Sequence, residues 1–350
     1  MAPVVLACRQ QPWANVRVLA TAQHREMLDQ VLGLFDIRPD IDLNIMQENQ
    51  TLPKLTARLM TALDQAFASE DPDAVLAQGD TSTVMVAALA SFYRRISFGH
   101  VEAGLRTGDL AYPFPEEMNR VVTARLARWH FSPTESARTN LLAEGIEDER
   151  IFVTGNTVID ALLDVAKRCD DYAPKVSPGK RLILVTAHRR ENFGDPFAEI
   201  CRAIKYLADT RPDVEFLYPV HPNPNVCEVA RKMLGSHPRI QLCDPLDYLP
   251  FVSVMKAAHF ILSDSGGVQE EAPALGKPVL VLRRETERPE AVKEGVVKLV
   301  GQDFDAIVKE SLRLLDDDRA YMAMARGISP YGDGLASVRI AEILARELSS

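Results

Sequence analysis

The chain has 350 residues, 47% of them hydrophobic and 25% charged, and carries a formal net charge of −9. That length exceeds one compact core and fits two domains of ordinary size, and the composition is that of ordinary globular protein. The acidic balance excludes nucleic acid or an anionic membrane as the main partner, because either needs a broad basic surface, whereas a small anionic ligand needs only a local cluster of Arg and Lys.

The five cysteines, Cys8, Cys169, Cys201, Cys227 and Cys243, are scattered and include no CxxC pair. They point to a reduced, cytoplasmic setting. No apolar run approaches the roughly 18 residues of a membrane span. The opening MAPVVLAC lacks a basic n-region and is not read as a secretion signal.

In chain order, residues 3–10 read as a short helix and Val16 to Ala20 as a strand. A helix from His24 to about Phe35 puts Met27, Leu28, Val31, Leu32 and Phe35 on one face. After a polar loop, Thr51 is expected to cap a long helix whose Leu55, Leu59, Leu63 and Phe67 form a core stripe at i, i+4 spacing. A strand Ala74–Gln78 leads through Gly79-Asp80-Thr81 into a helix Val84–Tyr93, and Ile96–Phe98 is the next strand. Then comes the densest chemistry of the chain, Gly99 to Arg120, whose charged part is expected to be a loop ahead of a helix carrying Met118, Val121, Val122 and Leu126. Glu116 and Glu117 fall in that helix's first turn, where the dipole favours negative charge. A strand Trp129–Phe131, a helix Thr134–Glu144 and a strand Ile151–Val153 follow.

The alternation of strands and helices predicts a doubly wound parallel sheet. Periodicity lapses from Cys169 to Lys180, so residues 1–168 are taken as an N-terminal Rossmann-like domain and 169–334 as a second one. The second half repeats the pattern: strands Leu182–Thr186, Val214–Pro219, Ile240–Cys243, Phe260–Ser263, Pro278–Leu282 and Val297–Val300, with helices between them. A last helix, Val338–Leu348, lies within residues 335–350 and is free to pack on either half. Two such halves imply a cleft, with ligands at the carboxyl ends of the strands.

Ser263-Asp264-Ser265-Gly266-Gly267 joins a strand to a helix start. It reads either as a phosphate cradle of backbone N–H groups or as a plain turn with a Ser cap. Glu271 one turn on, suited to ribose hydroxyls, and the following Arg283, Arg284 and Arg288 favour the cradle, although no P-loop is present. His188 closes a strand and is followed by Arg189 and Arg190, which favours a functional role. His221 is equally well explained by its proline-rich turn, and Asp80 by helix capping. Glu102 follows an apolar run and would need a partner such as Arg106. Carboxylates in an apolar cleft acquire separated pKa values, as acid and base roles require. A metal site is the weaker idea, since so many arginines surround these acids.

These residues resemble the non-hydrolysing UDP-N-acetylglucosamine 2-epimerases. The matching motifs are Gln78-Gly79-Asp80-Thr81, Gly99 to Thr107, Pro115 to Arg120, Thr154-Gly155-Asn156-Thr157, His188 to Asn192, Asp264 to Gly267 and Thr286 to Glu290, in family order over nearly the whole chain. The resemblance implies an α/β fold of two Rossmann-like domains facing a cleft, as in GT-B glycosyltransferases, a homodimer, and no metal or redox cofactor. It implies UDP-N-acetylglucosamine as substrate and as an activator, with Asp80, Glu102, Glu116 and His188 as the catalytic group. Arg106, Phe251, Ser265, Gly266, Gly267, Glu271 and Arg288 would bind substrate, with Phe251 near the uracil. The implied chemistry is anti elimination of UDP and its re-addition, feeding surface-polysaccharide precursors. A hydrolysing relative, a GT-B glycosyltransferase and a shortened nucleotide-sugar-binding protein are the alternatives. One departure stands out: the family opens with a strand and a Gly-Thr-Arg-Pro-Glu type loop, and here the first strand of the N-terminal domain is expected to be missing, through a start placed too far downstream or a shortened chain. Losing a central strand would leave edges on both its neighbours.

Overall fold

The computed structural model describes residues 1–21, 25–45, 50–286 and 288–349, with the backbone alone at 25–27. The expected helix start at His24, the Met27 side chain and Glu287 of the Thr286–Glu290 motif therefore lie outside the described residues. Contact density divides the chain into two units, Met1–Ala161 with Tyr331–Ser350, and Leu162–Pro330.

The first unit opens with α1 (Ala2–Arg9), β1 (Leu19–Ala20), α2 (Arg25–Leu34) and β2 (Ile41–Asp42). It continues with α3 (Leu52–Glu70), β3 (Ala74–Gln78), α4 (Ser82–Tyr93), β4 (Ser97–Val101), α5 (Glu116–Leu126), β5 (Trp129–Ser132), α6 (Glu135–Ala143) and β6 (Ile151–Val153). β3-β4-β5-β6 form a parallel four-stranded ladder, and β1-β2 a separate parallel pair. The strand read at Val16–Ala20 is thus only two residues long, because its one ladder partner is β2, which lies in what reads as a polar loop. β1 and β3 each keep an edge without a strand partner among the described residues.

Leu55, Leu59, Leu63 and Phe67 of α3 are buried as a core stripe should be, packed with Val84, Ala87, Ala88 and Phe98. Thr51 occupies the cap position of α3, but its side chain makes no capping bond. Thr134 does cap α6, accepting from the Ala137 N–H. β4 extends to Val101, so Gly99 and His100 belong to the strand and not to the charged loop.

α7 (Thr157–Ala166), where no helix was expected, carries the chain into the second unit. There follow β7 (Arg181–Thr186), α8 (Asp195–Thr210), β8 (Val214–Pro219), α9 (Pro224–Leu234), β9 (Ile240–Cys243) and α10 (Tyr248–Ala257). β10 (Phe260–Ser263), α11 (Gly266–Ala274), β11 (Val279–Val281), α12 (Pro289–Lys293), β12 (Val297–Leu299), α13 (Phe304–Asp316) and α14 (Asp318–Met324) complete it; α14 is a second helix that the periodicity left unread. The sheet is parallel with order β12-β11-β10-β7-β8-β9, the doubly wound pattern that reverses direction between β7 and β10. Its strands read as continuous apolar runs because both faces are covered, with Ile183, Val185, Phe216 and Leu262 all fully or nearly fully buried.

α15 (Ala336–Leu348) returns to the first unit, where Ile340, Ala341 and Leu344 pack with Val4 and Cys8 of α1 against Trp129 and Phe131. Asp160 ties its start by accepting from the Ser337 N–H at 2.7 Å and from the Ser337 hydroxyl at 2.6 Å.

Candidate functional site

In the first unit the candidate residues gather at the carboxyl ends of β3, β4 and β6. Asp80 follows β3 and accepts from the Arg120 guanidinium at 2.7 Å. The same guanidinium binds Glu117 Oε2 at 2.7 Å, and Glu117 is almost fully buried. Glu117 Oε1 accepts from the Thr107 and Gly108 N–H groups, each at 2.9 Å. Burial alone would push this carboxyl up, but the Gly108 N–H, Arg120 and the Thr107 N–H outweigh it and hold the carboxyl below the usual range. The Asn119 side chain adds a 2.8 Å bond to the Asp80 carbonyl, so α5 clamps the loop after β3 from its first turn.

Glu102 follows β4 with φ 65°, a left-handed backbone that costs a non-glycine residue strain and recurs at functional sites. Its carboxylate accepts from Gln78 Nε2 at 3.2 Å and Asn156 Nδ2 at 3.5 Å. The expected partner Arg106 is instead held in a bidentate pair with Glu144, at 2.6 and 3.0 Å, because α6 brings that acid to the loop. Gly104 makes this packing possible: at φ 94°, a Cβ there would stand 2.3 Å from the Ala137 carbonyl oxygen. Glu116, by contrast, is half-buried and has no protein partner among the described residues. His100, wholly buried in β4, donates from Nε2 to the Gly79 carbonyl at 2.8 Å. Burial lowers its pKa to about 4, so it is a neutral brace for the Gly79-Asp80 turn.

In the second unit the residues meet at the switch point, where β7 delivers His188 and β10 delivers Asp264 and Ser265. A pocket of about 290 Å³ is lined by Thr186, His188, His221, Tyr248, Phe251, Ser265, Gly267, Val268 and Glu271, with prolines and Leu246. Ser265 is the cap residue of α11, yet its side chain makes no capping bond. The first-turn N–H groups of α11 have no intrahelical acceptor, which suits an anion. Two guanidinium groups flank them: a Cβ on Gly266 would lie 3.5 Å from Arg288 Cζ and 3.6 Å from Arg189 Nη2. Arg288 is itself anchored on Glu270 at 2.7 Å. Arg283 pairs with Glu191, and Arg284 is exposed.

Glu271 is buried, and burial raises its carboxyl to about 7 although the Tyr248 hydroxyl, 2.8 Å away, opposes the rise. His188 stacks on His221 with ring centroids 5.4 Å apart, and burial lowers its imidazole. Sequence reasoning missed Glu117, Arg120, Gln78 and Asn156 as a network, and missed Tyr248. The buried charge of Glu117 has no sequence signal beyond its place in Pro115 to Arg120. A larger hollow of about 580 Å³ in the first unit, lined by Phe92, Tyr93, Arg95, Arg128 and neighbours, opens at the amino ends of β4 and β5, away from these acids. Among the described residues no cluster of His, Cys, Asp and Glu is arranged to hold a metal, and no helix is long and apolar enough to cross a membrane.

The family profile described as UDP-N-acetylglucosamine 2-epimerase matches residues 6–345. The Escherichia coli K12 protein named UDP-N-acetylglucosamine 2-epimerase is 54% identical, over 98% of this chain and 94% of that protein. The crystal structure of the Neisseria meningitidis UDP-GlcNAc 2-epimerase bound to UDP-GlcNAc superposes with a TM-score of 0.88 at 47% identity, covering 99% of this chain and 96% of that one. The Methanocaldococcus jannaschii enzyme in complex with UDP-GlcNAc and UDP gives 0.77 at 32% identity, covering 99% and 95%. The two Rossmann-like units are of the GT-B class, and the chain belongs to the UDP-N-acetylglucosamine 2-epimerase family of isomerases.

Proposed function

We propose that this protein interconverts UDP-N-acetylglucosamine and UDP-N-acetylmannosamine without releasing the free sugar. The observation that carries the reading is the pairing of two features in one chain: a helix amino end flanked by Arg189 and Arg288 at the switch point of the second unit, suited to a diphosphate, and a set of carboxylates at the strand ends of the first. In this reading the α11 amino end, Ser265, Gly266, Gly267, Arg288 and Arg189 hold the diphosphate, Glu271 the ribose, and Phe251 the uracil side. Asp80, Glu102, Glu116 and His188 serve proton transfer and departure of UDP, with Arg106 shaping the sugar side through its hold on Glu144.

A base removes the C2 proton, the C2–H electron pair becomes the C1=C2 double bond of 2-acetamidoglucal, and the C1–O bond breaks with its pair leaving on UDP. UDP then adds back to C1 while C2 is protonated on the other face. Cationic groups and backbone donors at the cradle stabilise the charge that develops on the departing diphosphate, and the carboxylates supply acid and base. A homodimer, activation by a second molecule of UDP-N-acetylglucosamine, and supply of surface-polysaccharide precursors are part of the same reading.

Incubation with UDP-N-acetylglucosamine in D2O, followed by NMR, tests it. Deuterium at C2 with UDP still attached supports the reading; free N-acetylmannosamine indicates hydrolysis, and ligand binding with no exchange at high enzyme concentration sinks it. Glu102→Gln should slow exchange by about 100-fold or more, and full activity in that variant removes Glu102 from the catalytic group.

A further inference from the structure

Asp264 is fully buried at the end of β10, and its two carboxylate oxygens are treated very differently. Oδ2 accepts three hydrogen bonds, from the His188 N–H, the Arg189 N–H and Asn192 Nδ2, each at 2.8 Å. Oδ1 is buried and has no hydrogen-bond partner among the described residues. An unanswered buried acceptor costs on the order of 1–3 kcal/mol, more when charged, so such an atom asks for an explanation.

The support behind this carboxylate makes the arrangement deliberate. Asn192, itself fully buried, also donates to the Leu282 carbonyl at 3.3 Å and accepts from Gln302 Nε2 at 2.8 Å. Asp264 is therefore fixed from behind by a buried amide. Ahead of Oδ1 stands the imidazole of His188, with Nδ1 3.7 Å away, too long for a hydrogen bond but within ion-pair range. That side chain is 40% exposed, so it has freedom that Asp264 lacks.

We propose that Asp264 is a positioning residue for His188: its Oδ1 accepts the Nδ1–H of the imidazole, selecting the tautomer that leaves Nε2 for the ligand pocket. The inference rests on the reading of His188 as a catalytic group and adds what makes it one. A neutral imidazole has one donor and one acceptor nitrogen, and the group that binds the first decides which face of the ring does chemistry. Asp264, His221 and Arg189 are the charged or titratable groups facing His188, and Glu271 of α11 lines the same pocket. Asp264 favours the imidazolium, while burial, His221 and Arg189 oppose it. The carboxylate thus keeps within reach a proton that the other three would expel.

Asp264→Asn is the decisive substitution. Its amide oxygen can still accept from the three N–H donors, whereas its NH2 group faces Nδ1 and forces the opposite tautomer, with the proton on Nε2. The expected outcome is a fall in kcat of about 100-fold or more, with KM for UDP-N-acetylglucosamine and the affinity for UDP changed less than threefold. In protein labelled with 15N-histidine, the His188 signals, assigned by their loss in His188→Asn, should report Nδ1–H in the wild type and Nε2–H in Asp264→Asn. Wild-type kcat in Asp264→Asn, or an Nε2–H tautomer in the wild-type protein with UDP bound, overturns the inference. The second measurement stands even if the variant does not fold. Should His188→Asn itself keep full activity, what fails is the reading of His188 and not the Asp264 contact, which the tautomer still tests.

Discussion

Most of the charged groups at the strand ends of the first unit are paired within the protein, whereas in the second unit two buried acids, Glu271 and Asp264, are less fully answered. Arg120 bridges Asp80 and Glu117, two amides hold Glu102, and Glu144 holds Arg106. In the second unit Glu271 is buried with a hydroxyl and another acid for company, and Asp264 keeps one oxygen unanswered. Glu117 and Glu271 consequently shift in opposite directions: hydrogen bonds and Arg120 hold Glu117 down against its burial, while burial lifts Glu271. A site whose charges are paired internally is set before any ligand arrives. A site with acceptors left open is completed afterwards, by a neighbouring side chain such as the His188 imidazole beside Asp264 or by the donors of a ligand.

The sharpest way to break the contrast is Arg120→Met, which strands two acids, one of them almost fully buried. Removing one partner of a buried pair costs about 3–5 kcal/mol, and denaturant unfolding should show a loss of that size. An unchanged midpoint would mean that the first-unit network is not preset.

Glu271→Gln probes the other side. The folded value of about 7 lies above the ordinary 4.5, so the folded protein holds the extra proton between those values and stability falls as pH rises through that window. The span corresponds to about 3 kcal/mol at most. The Gln variant should flatten this slope between pH 4.5 and 7, and saturating UDP should flatten it in the wild type. Glu117 carries the opposite sign: its depressed value stabilises the fold above the ordinary carboxylate range, and that contribution is lost as pH falls through the folded value.

The smallest stability effect belongs to Glu116→Gln. With no protein partner to lose among the described residues, its unfolding free energy should move by less than about 0.5 kcal/mol, while C2 exchange slows. Glu117→Gln should show the reverse weighting, stability first. If both variants behave alike, the distinction between a free and a structural acid in the first turn of α5 is void.

Much of this is legible in the sequence. The strand-helix alternation, the all-apolar strands of the second sheet and the Gly-Gly turn at a helix start follow from local rules, and the structure keeps nearly every strand within a residue or two of its expected place. β1 and β2 were the weak point, because a two-residue strand exists only through its partner and carries no period of its own. α7 and α14 went unread although both starts carry a capping side chain: Asn156 accepts from the Val158 N–H at 3.1 Å, and Asp317 from the Arg319 and Ala320 N–H groups at 2.9 and 3.1 Å.

What the sequence by itself determined is the type and order of the elements, the families of residues at the strand ends and the resemblance they carry, since these depend on periodicity and spacing along one chain. Only the tertiary structure decided who partners whom: that Arg106 answers Glu144 and not Glu102, that Glu117 and not Glu116 is the buried acid, and that Asp264 aims a bare oxygen at His188. Those outcomes depend on distances between residues tens of positions apart, and desolvation and pairing there fix the charge of each group in ways that no local pattern encodes.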